Sequence, residues 1–293
     1  PQPKIVSVDN DGLNQRVQKA VGRLQSFEQT ACAADWLREA GIVNINFDLM
    51  YGLPHQTVDT MAATVRRALT LDPDRIALFG YAHVPWMKRH QKLMPEDALP
   101  GPIDRVAQFS AAAEVLTGAS YRAIGLDHFA KQDDCLAHGQ REKRIHRNFQ
   151  GYTTDEAATL IGFGASAIGA LPQGYVQNAP SAVAYRTAIE SGRLATARGC
   201  TLTGEDRLRR AIIEQLMCNM EVDLAEIAEM HHRSLADFKA ELTALDALAA
   251  HGLVQHRNGV IAVPEHARTF VRSVCAVFDA YLSNDELRYS RAI

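Results

Sequence analysis

The 293-residue sequence contains no uninterrupted run of about 18 apolar residues, so it shows no transmembrane-helix pattern. Its opening stretch, PQPKIVSVDNDGLNQ, lacks an initiating methionine and has neither the apolar core nor the cleavage pattern of a secretory signal. Cysteine is scarce and scattered: five residues at 32, 135, 200, 218 and 275, with no C-x-x-C pair and no cluster of metal-ligand spacing. An odd, dispersed set argues against a disulfide framework, and the reading is free thiols in a reducing, cytoplasmic compartment with no metal site. Neither sign of charge dominates. Thirty-one Lys and Arg oppose 34 Asp and Glu, a net charge of −3 with a pI near 6.4, so neither nucleic acid nor an anionic membrane is expected as a partner.

What the chain does have is core: 47% of its residues are hydrophobic and 22% charged, and its length suffices for two domains. Val17, Val21 and Leu24, then Cys32, Trp36 and Leu37, recur at helical spacing and predict a helix pair stopped at Gly41. Ile42 to Leu49 follows as a buried strand closed by Gly52 and Pro54. A second round runs through Met61, Val65, Ala68 and Leu69 into a strand from Ile76 to Tyr81; a third runs from Ile103–Leu116 into YRAIGLDHF, residues 121 to 129. Helix-then-strand repetition predicts an α/β class with a parallel sheet or open barrel, where ligands meet the carboxyl ends of strands. Asp48, the Tyr81-Ala82-His83 run and the Asp127-His128-Phe129 run occupy those ends.

The texture changes near Arg198 to Thr203, and the predicted division is 1–200 and 201–293, with Thr203 capping a new helix. Leu224 to Ala228, then Leu235 to Leu248, then a hairpin about Asn258-Gly259, outline a mostly helical, winged-helix-like domain. Its third helix carries Asp237, Lys239, Glu241 and Asp246 rather than a basic stripe, which argues against phosphate contacts. GFGASAIG (162–169) lacks dinucleotide-loop spacing and reads as close backbone packing, and the adjacent His231 and His232 diverge by about 100° on a helix, which suits no shared metal.

Two stretches carry more polarity than packing requires. Asp48 interrupts an apolar strand, and a carboxylate there needs a protein donor or a ligand with hydroxyls or amines. HRNFQGYTT (146–154) crowds two cations, two amides, two aromatics and two hydroxyls around one glycine.

FDLMYGLPHQT, YAHVPWM, GLDHFAKQDD, REKRIHRNFQGYTT and GFGASAIG, in this order, resemble the oxygen-independent coproporphyrinogen III oxidases, a radical S-adenosylmethionine family, from about Val17 through the terminal YSRAI. HRNFQGYTT sets this family apart from related heme chaperones, which have Asn after the His and a Tyr-Trp pair downstream. The resemblance implies the C-terminal part of an open radical-SAM (β/α) barrel followed by the helical domain. It implies conversion of two propionates of coproporphyrinogen III to vinyl groups, using S-adenosylmethionine, a [4Fe-4S] cluster and an electron donor, by a monomer. Carried over by position, it places Arg23, Asp48 and Ala82 around one S-adenosylmethionine and Phe149, Gln150 and Ile168 around a second. For the propionates the residue chemistry nominates Lys143, Arg144 and Arg147, against which stands a solvated basic turn.

The sequence departs from the family in one respect that matters. It contains no CxxxCxxC, so the cluster ligands are absent from the chain, no catalytic residue is assigned, and the polypeptide by itself is expected to be inert. Asn10, Asp11, Gly12 and Leu13 stand where the family has Val-Gln-Asp-aromatic, so the first dozen residues read as foreign to it. Loss of the opening strands is expected to expose the edge of the Ile42–Leu49 strand and to lower solubility. The competing readings are a heme chaperone and a non-enzymatic interaction module built on the winged helix.

Overall fold

The computed structural model describes residues 6–10 and 14–282, with side chains from residue 14 onward. The departures at Asp11, Gly12 and Leu13 and the YSRAI terminus lie outside the described residues. The first part runs β1 (Val6–Asn10), α1 (Gln15–Val21), α2 (Phe27–Glu39), β2 (Ile45–Tyr51), α3 (Val58–Leu69), β3 (Arg75–Gly80), α4 (Pro102–Gly118), β4 (Arg122–Ile124) and β5 (His128–Ala130). These strands form one sheet in the order β1-β2-β3-β5-β4. Capping fixes the helix starts: the Ser26 and Thr57 side chains each accept from the backbone N–H three residues on, Gln29 and Thr60 reach back, and Pro102 opens α4. Phe47 and Leu49 of β2, Ile76 and Leu78 of β3, Met61 and Val65 of α3 and Leu116 of α4 are fully buried together.

Three expectations need correction. The first three strands are parallel, but YRAIGLDHF is not a third parallel strand: it splits into β4 and β5, and β5 runs antiparallel to both β3 and β4. Gly125 makes the split, taking the left-handed conformation (φ 53) at the bend while the Tyr152 ring occupies the space where a Cβ would stand. Secondly, Leu24, Cys32, Trp36 and Val43 are exposed, because α2 buries Thr30 and Ala34 instead. Thirdly, β2 is no bare edge: β1 pairs with it from Val6↔Ile45 to Asn10↔Leu49.

The chain continues through α5 (Cys135–Arg141), the hairpin β6 (His146–Asn148) and β7 (Gly151–Thr153), and the meander β8 (Ile168–Leu171), β9 (Gly174–Asn178), α6 (Ala182–Glu190) and β10 (Thr196–Thr201). Gly169 is packed tightly, as read from GFGASAIG: a Cβ there would sit 2.9 Å from the Leu160 carbonyl oxygen.

The last part comprises α7 (Gly204–Asn219), β11 (Glu221–Asp223), α8 (Leu224–Met230), α9 (Lys239–Ala250), β12 (Gln255–Arg257), β13 (Val260–Ala262) and α10 (Val271–Ala276). Thr203 caps α7 in a box with Asp206, and β11-β13-β12 form the wing, turned at Asn258 and Gly259, both at positive φ. Leu208, Ile212 and Leu216 of α7 pack with Leu224, Phe238, Leu245, Ile261 and Phe278 in a second core. A smaller cluster of Ile124, Leu136, Ile145, Tyr152 and Cys218 bridges the two.

Candidate functional site

The β6–β7 hairpin pairs His146↔Thr153, Arg147↔Tyr152 and Asn148↔Gly151, leaving Phe149 and Gln150 as its two-residue tip. Asn148 fixes the turn, its Oδ1 accepting from Gln150 N–H at 2.8 Å. The mixture in HRNFQGYTT therefore separates by position. Tyr152 is buried, its hydroxyl accepting from Leu126 N–H at 2.9 Å and donating to the Met217 carbonyl at 3.1 Å. That carbonyl belongs to the last turn of α7, where helix geometry provides no backbone partner. One phenol thus ties the hairpin, the β4–β5 bend and the second core together. Burial in that setting pushes the Tyr152 hydroxyl well above its ordinary pKa.

The tip projects outward, with Phe149 54% exposed and its ring meeting Tyr175 edge-on at 5.2 Å. Phe149, Gln150 and Ile168 line one cavity of about 430 Å³, walled on the far side by Leu160, Gly162 and Phe163. A larger groove of about 960 Å³ adjoins it at Gln150 and Leu160, and a third cavity of about 290 Å³ lies on the other side of Phe149. The structure brings three of the six expected cofactor contacts into one hollow.

The other three lie on the first sheet. Asp48 sits within β2, in register with Ala77, and its Oδ1 accepts from the Asn46 amide at 2.6 Å. Ala82 lies two residues past the end of β3, its carbonyl held by the Gln91 amide at 3.0 Å. Arg23 follows the left-handed Gly22 that ends α1. None of these three lines the cavity at the hairpin tip.

The nominated cations divide as well. Lys143 is held by Glu221 at 2.9 Å, and Arg144 by Glu142. Arg147 makes no side-chain hydrogen bond or ion pair among the described residues; its guanidinium carbon lies 5.7 Å from the centre of the Tyr152 ring.

One pair was visible in the sequence only as the end of a supposed strand. His128 Nδ1 lies 2.8 Å from Asp127 Oδ1, both side chains largely buried, and the imidazole is flanked edge-on by Phe79 at 5.8 Å and Tyr152 at 5.0 Å. A Cβ on Gly151 would stand 3.2 Å from its Nε2, so His128 lies directly beneath the hairpin. Glu214 and Arg210 of α7, which also meet the hairpin, had no signal in sequence, since only tertiary packing brings them there.

A nucleoside sulfonium fits the hairpin cavity chemically: the exposed Phe149 ring offers a face to a base or cation, and no protein group among those described engages the Gln150 amide. The described residues do not fit an iron–sulfur cluster: no group of three or more His, Cys, Asp or Glu among them could hold a metal ion. No described helix is long and apolar enough to cross a membrane.

An α/β body built on a mixed five-stranded sheet, joined to a winged-helix-like part, defines the class, and residues 202–270 match the HemN C-terminal domain. The chain is 50% identical over 277 residues to an oxygen-independent coproporphyrinogen III oxidase of Bradyrhizobium diazoefficiens, covering 94% of this chain and 62% of that protein. One from Cereibacter sphaeroides is 40% identical, covering 99% and 66%. Among solved structures, the Escherichia coli coproporphyrinogen III oxidase HemN, described as a radical SAM enzyme, superposes with a TM-score of 0.88 at 38% identity, over 95% of this chain and 64% of that one. Over the part it spans, the chain belongs to the oxygen-independent coproporphyrinogen III oxidase family. It spans about three fifths to two thirds of the length of these relatives.

Proposed function

We propose that this chain forms the substrate- and cofactor-holding part of an enzyme that decarboxylates coproporphyrinogen III to protoporphyrinogen IX without oxygen. The family match over nearly the whole chain supports the reading, and the observation that carries it is the meeting of Phe149, Gln150 and Ile168 in one cavity. Phe149 and Gln150 would hold one S-adenosylmethionine; Arg23, Asp48 and Ala82 would hold another at the carboxyl side of the parallel strands. Arg23 suits the methionyl carboxylate and Asp48 the ribose hydroxyls or the amine. S-adenosylmethionine held there would supply the radical chemistry that the family's reaction needs. The residues of this chain orient the ligands and exclude water around them.

With no CxxxCxxC in its sequence, the polypeptide alone is expected to bind and not to turn over, and the whole activity requires cluster ligands and an electron donor from outside it. The division at 1–200 and 201–293, monomeric behaviour and a cytoplasmic setting belong to the same proposal.

Equilibrium dialysis with radiolabelled S-adenosylmethionine tests it. Saturable binding that falls at least tenfold in Gln150→Ala is expected, because a paired donor and acceptor would be lost. Absence of saturable uptake by the folded parent chain would remove the proposal.

A further inference from the structure

We infer that Arg147 and Arg210 form a carboxylate clamp that grips one propionate arm of a tetrapyrrole; this deepens the coproporphyrinogen reading and rests on it.

Both arginines line the 290 Å³ cavity beside Phe149. Arg147 arrives from β6, with its cross-strand partner Tyr152 beneath its guanidinium. Its Nε is shut off from solvent and has no acceptor. An N–H donor so placed costs free energy until an acceptor reaches it. The nearby carboxylate does not serve, because Glu214 Oε1 faces the Arg147 backbone N–H and the His146 ring, each at 3.3 Å. Arg210 arrives from α7, its guanidinium carbon 5.6 Å from the centre of the Tyr175 ring. Its Nε makes a loose ion pair with Glu214 Oε2 at 3.9 Å, too long for a hydrogen bond and leaving its donors able to take another acceptor. Arg147 therefore has no carboxylate on its guanidinium, and Arg210 has only a long contact to one that already has other partners.

The remaining lining points to the kind of anion. Ala170, Ile213 and Met217 give the cavity an apolar floor, and Phe149 and Tyr175 give it aromatic walls. A bare inorganic anion would gain nothing from those surfaces, whereas a pyrrole carrying a carboxylate arm uses both floor and forks. The cavity is sized for one such arm. The adjoining 960 Å³ groove shares Arg147, Asn148, Ala170, Arg210 and Glu214 with it, which leaves room for the rest of the macrocycle. Phe149 lines this cavity and the cofactor cavity alike, so the clamped arm would lie one side chain away from the second S-adenosylmethionine.

Anaerobic calorimetric titration of coproporphyrinogen III into the 293-residue chain, with S-adenosylmethionine binding measured on the same samples as a check of folding, tests the clamp. Arg147→Gln and Arg210→Gln should each weaken tetrapyrrole binding about tenfold or more, while a Lys239→Gln surface control stays within about twofold of the parent. Arg210→Lys should recover only part, because an ammonium keeps the charge and loses the fork. It decides the matter if Arg210→Gln fails to fold. The tetramethyl ester should bind weakly and ignore both substitutions. Parent-like affinity in folded Arg210→Gln, or inorganic phosphate competing as strongly as the tetrapyrrole, would overturn the clamp and leave the functional reading standing. A parent chain that binds S-adenosylmethionine but no coproporphyrinogen would overturn both.

Discussion

Tyr152→Phe removes one oxygen and almost no volume, so its effect isolates two hydrogen bonds from packing. The Leu126 N–H, donating at 2.9 Å, loses its acceptor, and the Met217 carbonyl, accepting at 3.1 Å, loses its donor, both in buried surroundings. A buried polar group left without a partner costs about 1–3 kcal/mol, so the pair predicts a loss of about 2–6 kcal/mol. With a urea slope of about 2 kcal/mol/M, the midpoint of the transition that includes α7 should fall by about 1–3 M. A second readout localises the effect. Cys218 is buried in the same cluster as Tyr152, so its alkylation by iodoacetamide should quicken in the variant while that of exposed Cys200 does not change. An unchanged midpoint together with an unchanged Cys218 rate would refute the claim that this phenol ties the hairpin to the second core.

Other expectations follow from the same geometry. Gly125→Ala should be more damaging than Tyr152→Phe, since its Cβ would fall 2.2 Å from the Tyr152 ring at a residue already in left-handed backbone; a variant as soluble and as stable as the parent would contradict this. Thiol titration at pH 8 should find three reactive cysteines in the folded chain and five in denaturant, because burial pushes Cys218 and Cys275 up to about 12 while 32, 135 and 200 are exposed; five fast thiols in the folded chain would contradict it. Stability should decline above pH 10. Burial pushes Tyr51 up to about 12, so the unfolded chain releases that proton first, and the stabilisation is complete below pH 10 and lost as pH rises towards 12; a urea midpoint flat from pH 9 to 11.5 would contradict it.

Local signals in the sequence translated directly into structure. Thr203 caps α7, Asn258-Gly259 turns the wing, and the apolar runs about Phe47 and Ile76 became adjacent parallel strands. These features depend on neighbours a few residues away, or on burial on both faces of a strand. What the sequence concealed depended on distant partners. Trp36 has helical spacing from Cys32 yet faces solvent, because α2 turns its small residues inward. YRAIGLDHF has the composition of one strand, and only the Tyr152 ring over Gly125 explains why it is two. At the candidate site, HRNFQGYTT stood out by its excess polarity, and the resemblance supplied Phe149, Gln150 and Ile168. Residue type alone could not tell Arg147 from Lys143 and Arg144, since what distinguishes them is that Glu221 and Glu142 hold the latter two. Arg210 lay beyond reach altogether, its only tie to the hairpin being made through the fold.

The most direct test of the central claim is a crystal structure of this chain grown with saturating S-adenosylmethionine. The account predicts ligand density between the Phe149 ring and Ile168, with the Gln150 amide in hydrogen-bond contact. Well-ordered S-adenosylmethionine bound elsewhere, with that cavity filled only by water, would contradict it.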